Sequence, residues 1–270
     1  MPEHVKDKGM MRDILSNLKA ACMRFVAQVG STASFARECF LGMFRLPLET
    51  GEVFRQVDEL GAKSLPVVGT TGLVTGLILA IQSRPVLARF GAESYVPAMV
   101  SISVVRELGP ILTALMVAGR VGSGMSAELG SMRVTEQIEA IEVSGIDSFR
   151  FLVVTRVLAC TLLLPLLTGI VNVLAIVGAY IAAVAEMHMS LQLYFHRAVN
   201  SLWMRDVIPA ILKTVVFGFI IGVIGCHQGY TAAGGTSGVG RASTSAVVIA
   251  SLLLLFTDMA LAKLIVLIWN

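Results

Sequence analysis

Charge is what this sequence has least of. Only 14% of its 270 residues are Asp, Glu, Lys or Arg, against about 25% in an average soluble domain. Mean hydropathy is +0.80 and 56% of residues are hydrophobic, which excludes a water-soluble domain of ordinary composition. Twenty-one basic and 18 acidic residues leave a net charge of +3, too little for a nucleic-acid-binding face, so no nucleic-acid partner is expected. Cysteine is sparse as well. Cys22, Cys39, Cys160 and Cys226 share no CxxC spacing, which argues against a disulfide framework or a zinc site, and they read as small apolar residues. His188 and His196, or Cys226 beside His227, match no metal-ligand spacing, so neither a metal nor a cofactor is expected. The first 30 residues lack an apolar stretch followed by a cleavage site, which predicts that the N-terminus is retained.

A nucleotide site is missing too. The Lys63-Ser64 pair follows Gly61-Ala62 without the upstream glycine of a phosphate-binding loop. The glycine-rich stretch 229–241 lacks the flanking strand and lysine, and reads as a flexible turn. If ATP drives this protein, another subunit hydrolyses it.

What is present is a series of long apolar runs. Each membrane-spanning helix needs about 20 mainly apolar residues, and five such runs occur, over about 64–83, 95–119, 151–185, 207–226 and 245–268. The ~10-residue alternation of a membrane β-barrel is absent. The expectation is an all-α integral membrane protein. The third run contains Pro165 and exceeds one perpendicular crossing, which predicts tilt, a kink or a protruding end rather than two spans. Gly72 with Gly76, and Gly218 with Gly222, form GxxxG pairs that permit close helix approach or reflect simple tolerance of glycine.

Residues 1–63 form a different region. Over 10–29, Met11, Ile14, Leu15, Leu18, Cys22, Phe25, Val26 and Val29 recur at helical spacing opposite Arg12, Lys19 and Arg24. That pattern suits a helix lying in the headgroup region, the alternative being a core-facing helix. A second amphipathic helix is predicted over 34–46, ended by Pro47, and a third over 50–62. The five-span region is then 64–270. Arg45, Arg55, Lys63, Arg120, Arg133, Arg150, Arg156 and Arg241 flank one side of the spans, while Arg84, Arg89, Arg197 and Arg205 flank the other. The bias predicts a cytoplasmic N-terminus and a C-terminus on the far side.

Two polar features break the apolar background. Arg106 and Glu107 stand inside the second run, where each charge costs roughly 2.5–3.5 kcal/mol on insertion scales and therefore faces a bundle interior or cavity. About 100° apart on an α-helix, the two point to different faces. Arg106 has two open roles, a partner for an anionic group of a substrate or one half of an interhelical ion pair. Glu107 has two as well, pairing with an arginine of another helix or subunit, or responding to a bound substrate by protonating. The second feature is the polar connection 123–148. Within it a short helix over about 131–146 carries Glu136, Glu139 and Glu142 at three-residue spacing, an acidic stripe suited to docking on a partner and ended by Gly145.

Val105-Arg106-Glu107-Leu108-Gly109-Pro110, Ala118-Gly119-Arg120, Ala127-Glu128-Leu129-Gly130 and Thr135-Glu136-Gln137 occur in order. With Gly229-Tyr230 and Gly240-Arg241-Ala242, they resemble the signature of the MlaE/YrbE permease family over about residues 60–270. These are membrane subunits of MCE-type ABC transporters, which move phospholipids or related lipids across the envelope of diderm bacteria, and the resemblance implies phospholipid movement between inner and outer membranes. The resemblance implies an inner-membrane homodimer with interfacial N-terminal helices, a cytoplasmic ABC ATPase, a periplasmic ring of MCE proteins and a STAS-domain protein on the ATPase. It implies a lipid pocket near Arg106 and Glu107 between the two copies, and coupling through the helix around Glu136 and Gln137, with Glu139 and Glu142 beside them. Arg120, Glu128 and Arg241 are further candidates within the matched blocks. Two other classes stand beside it. One is an ion-coupled lipid transporter using Glu107 as a proton site. The other is a membrane enzyme, for which no nucleophile, metal cluster or carboxylate pair recurs among the spans.

Overall fold

The computed structural model describes residue 23 and residues 26–45, 50–187 and 189–269. Helix α1 covers 26–43. Five long helices follow: α2 (Thr50–Ala88), α3 (Glu93–Val134), α5 (Phe149–Met187), α7 (Met204–Tyr230) and α8 (Gly235–Trp269). All five are long and apolar enough to cross a membrane. Two short helices join them at opposite ends of the bundle, α4 (Gln137–Val143) between α3 and α5, and α6 (Leu191–Asn200) between α5 and α7.

Several boundaries differ from expectation, each for a local reason. The predicted helix over 10–29 lies mostly outside the described residues, and its end merges with the next one into α1. Phe35, Cys39 and Met43 of α1 pack on the bundle, while Val26, Phe40 and Phe44 stay exposed. The predicted helix over 50–62 is the first part of α2, because Arg55–Glu52 and Lys63–Glu59 pairs carry the charged turns into the apolar ones without a break. Helix α3 continues past Arg120 to Val134. Its polar residues there leave a buried face of Met125, Ser126, Leu129 and Gly130 that packs on α7 and α8. The glycine-rich stretch is mostly helical, and only 231–234 connects α7 to α8. The run holding Pro165 is a single helix.

Close packing is built on glycine. A Cβ at Gly76 would run into the Ala175 carbonyl of α5, and one at Gly178 into the Leu73 carbonyl of α2. Helix α7 meets α5 in the same way, since a Cβ at Gly218 would lie 2.6 Å from the Cys160 carbonyl and one at Gly222 2.9 Å from Val157 Cα. Both predicted GxxxG pairs therefore sit at helix crossings. At the α6 end, Tyr194 is fully buried against Ala179 and Ala183, and its hydroxyl donates to the Ile176 carbonyl at 3.0 Å.

Replacing Gly76 by leucine should prevent α2 and α5 from closing, cost more than the about 1–3 kcal/mol of ordinary overpacking, and so lower the thermal midpoint in detergent. Gly169→Ala, with nothing within 4 Å of its added Cβ, is expected to leave the midpoint unchanged or raise it.

Candidate functional site

Pro110 has no amide hydrogen, so the Arg106 carbonyl loses its ordinary helical donor. The chain answers with a wide turn over Val104–Leu108, in which the Gly109 amide donates to the Val104 carbonyl five residues back. Such π-type turns inside α-helices commonly mark functional positions. A second wide turn spans Ala118–Gly122, so two of the signature blocks coincide with two distortions of α3.

The first wide turn aims Arg106 and Glu107 at α7. Arg106 Nε donates to Asp206 Oδ1 at 2.7 Å, and its Nη2 pairs with the same oxygen. Asp206 is almost fully buried and also accepts from the Trp203 amide at 3.0 Å, closing the first turn of α7. Two helical turns further along α7, Lys213 Nζ donates to Glu107 Oε2 at 2.7 Å and to Asp258 Oδ1 of α8 at 3.1 Å. The Lys213 side chain is 2% exposed, whereas those of Arg106 and Glu107 are 53% and 46% exposed. The two motif residues are thus ion-paired and open at the same time.

What they open onto is a cavity of about 240 Å³ in the half of the bundle nearer α6. Arg106, Glu107, Arg205, Asp206 and Lys213 form its polar wall. Pro209 and Ala210 of α7, with Ala262, Ile265 and Val266 of α8, form the apolar one. Concave sites with a few placed polar groups and apolar walls are the usual form of a small-molecule pocket. Two expectations are corrected here. Arg106 and Glu107 do not point to separate faces, because the wide turn brings both to one cavity. The partner of Glu107 is a lysine of the same chain, not an arginine. Asp206, Lys213 and Asp258 were missed, although each is a charge in or beside an apolar run and the reasoning applied to Arg106 would have found them.

The other sequence candidates sit elsewhere. Arg120 is exposed on the second wide turn. Glu128 pairs at 2.6 Å with Arg156, whose side chain is 5% exposed and also donates to the Leu152 carbonyl at 2.8 Å. Arg156 is therefore a buried α5 residue and not a flank. Arg241 is exposed, its guanidinium beside Gly234.

Helix α4 is shorter than predicted, since residues 131–134 belong to α3. Glu136 precedes it in left-handed backbone, with φ 59°, and is exposed together with Gln137. No free acidic stripe forms. Glu139 pairs with Arg133 at 2.5 Å, and Glu142 accepts from Ser148 Oγ at 2.6 Å and Tyr230 at 3.5 Å. Ile138 is fully buried, seating α4 on the bundle. Behind it Phe35 stacks edge-on with Phe149 and His227, each at 5.1 Å, and Phe149 meets Tyr230 at 6.2 Å. One continuous helix, α7, carries His227 and Tyr230 near α4 and Asp206 and Lys213 at the cavity.

Comparison with known proteins agrees with this architecture. A family profile described as "Permease MlaE" matches residues 53–264. A probable ABC transporter permease protein of Rickettsia bellii (strain RML369-C) is 38% identical over 255 residues, covering 94% of this chain and 98% of the relative. One from Synechocystis is 36% identical over 219 residues, covering 81% and 83%. The "Intermembrane phospholipid transport system permease protein MlaE" of Haemophilus influenzae is 29% identical over 256 residues, covering 94% and 98%. This chain belongs to the MlaE permease family: it is a multi-pass membrane permease of the ABC-transporter type.

Proposed function

We propose that this protein is the non-catalytic membrane subunit of an ATP-driven transporter that moves phospholipids between the inner and outer membranes of a diderm bacterium. The observation that carries this reading is the cavity between α3, α7 and α8, with half-exposed Arg106 at its polar wall and apolar side chains opposite. A phospholipid has the matching parts, an anionic phosphate and acyl chains. The relative in Haemophilus influenzae, named for phospholipid transport, supports the same cargo.

The protein works as a homodimer in this reading. The outer face of α8, including Leu255, Phe256 and Met259, is exposed in the single chain and supplies apolar surface for a second copy beside the cavity. Energy comes from a separate cytoplasmic ATPase that contacts Glu136 and Gln137. Helix α7 transmits its motion through Tyr230 to Asp206 and Lys213. A periplasmic MCE protein receives or delivers the lipid beyond α6, and a STAS-domain protein attends the ATPase. The chain resides in the inner membrane with its N-terminus cytoplasmic and its C-terminus periplasmic.

A second reading has one observation in its favour. Lys213 between Glu107 and Asp258 is the kind of buried charge cluster that ion-coupled transporters use. Lipid movement in proteoliposomes that follows a proton gradient and ignores ATP would select it over the first.

Arg106→Ala should lower phospholipid retained by the purified protein about tenfold, the scale of one lost charge-assisted contact. Asp206→Asn in the same background removes the stranded carboxylate. Lipid retention restored by that second change would mean that Arg106 serves only Asp206. Charge reversal at Glu136 is expected to reduce lipid-stimulated ATP hydrolysis of the assembled complex several-fold, and normal stimulation would remove α4 from the coupling path.

A further inference from the structure

Three cations line the cavity, and their charges are not equally available. Lys213 is held between Glu107 and Asp258, and Arg106 has its inward edge on Asp206. Arg205 differs from both. Among the described residues no carboxylate lies within ion-pair distance of it, and its guanidinium sits over the Trp203 ring at 5.6 Å.

Its position adds to this. Arg205 is the second residue of α7, at the N-terminal end where free amides and the helix dipole favour an anion. Trp203 is 64% exposed, as expected of an indole at the level where apolar chains give way to headgroups. Among the described residues no hydrogen bond engages the guanidinium donors of Arg205, which suits them to a planar two-point contact with an oxyanion. Arg106 and Lys213 together face three carboxylates, Glu107, Asp206 and Asp258. Without Arg205 the two cations of the wall are matched by its two carboxylates, Glu107 and Asp206, and Asp258 of α8, which also pairs with Lys213, adds a third negative charge, so no net positive charge is left for a phosphate.

We infer that Arg205 is the residue that binds the phosphate of the lipid cargo, at the α6-side mouth of the cavity, with Arg106 as the weaker second cation. The assignment rests on the lipid-pocket reading and goes beyond it by naming the group that discriminates lipids with a phosphate from those without. Acyl chains then lie along Ala262, Ile265 and Val266 of α8.

The test compares two lipids with the same acyl chains, a phosphatidylglycerol and a diacylglycerol, for binding to the purified full-length protein in detergent, read by native mass spectrometry. The wild type is expected to prefer the phospholipid by tenfold or more. Arg205→Ala should remove most of that preference while leaving diacylglycerol binding unchanged, which also serves as the control for an intact fold. Arg205→Lys, a point charge without the planar fork, should retain part of it. Full preference in Arg205→Ala would overturn the assignment and leave the lipid pocket standing. Failure of the wild type to bind either lipid would overturn both. Glycerol 3-phosphate is expected not to displace the lipid, and displacement would make Arg205 part of a soluble-anion site instead.

Discussion

A lysine whose side chain is almost wholly buried has to be neutralised by the protein around it. Lys213 meets that requirement with Glu107 from α3 and Asp258 from α8, so its position fixes how three helices stand relative to one another. Losing either carboxylate would leave the buried ammonium with one partner in place of two. The same logic holds one level up, where buried Asp206 needs Arg106 and the Trp203 amide. Charges that look unfavourable one at a time act as cross-links between helices. They also keep polar side chains inside α3 and along the first turns of α7, where packed leucine or glycine would have closed the space.

Elsewhere the same helices are pressed together. Gly72, Gly76 and Gly178 bring α2 against α5, and Gly218 and Gly222 bring α7 against α5. In a membrane the apolar tails offer helices no hydrophobic reason to associate, so close backbone contact supplies the attraction. Helix α7 is therefore tight along its middle and open at its first turns. A rod of 27 residues, about 40 Å at the helical rise, joins the aromatic cluster behind α4 to the cavity wall. The wide turn in α3 follows from a missing amide at Pro110, and it swings Arg106 and Glu107 onto one surface.

Much of this was legible beforehand, and what was not has identifiable causes. Five helices, their order and the two GxxxG crossings follow from run length and glycine spacing, which are local. Helix ends were less legible, because the charges Glu52, Arg55, Glu59 and Lys63 set a short helix over 50–62 apart from the apolar run, whereas they are paired along the start of one continuous α2. The acidic stripe was misread for a similar reason. Glu139 and Glu142 are satisfied by Arg133, Ser148 and Tyr230, and Tyr230 lies 88 positions from Glu142. Arg106 was visible as an anomaly in an apolar run, and Lys213 and Asp258 carried the same signal.

The sequence by itself determined that the chain must lie in a membrane as helices, since its apolar runs can satisfy their backbone polar groups there in no other way than as helices or a closed barrel, and the alternation of a barrel is absent. It also determined which family the signature blocks indicate, and that Arg106 and Glu107 need compensation. Only the tertiary structure decided who compensates them. Asp206 and Lys213 lie 100 and 106 positions away along the chain, and separation in sequence carries no information about which buried charges meet when helices pack side by side.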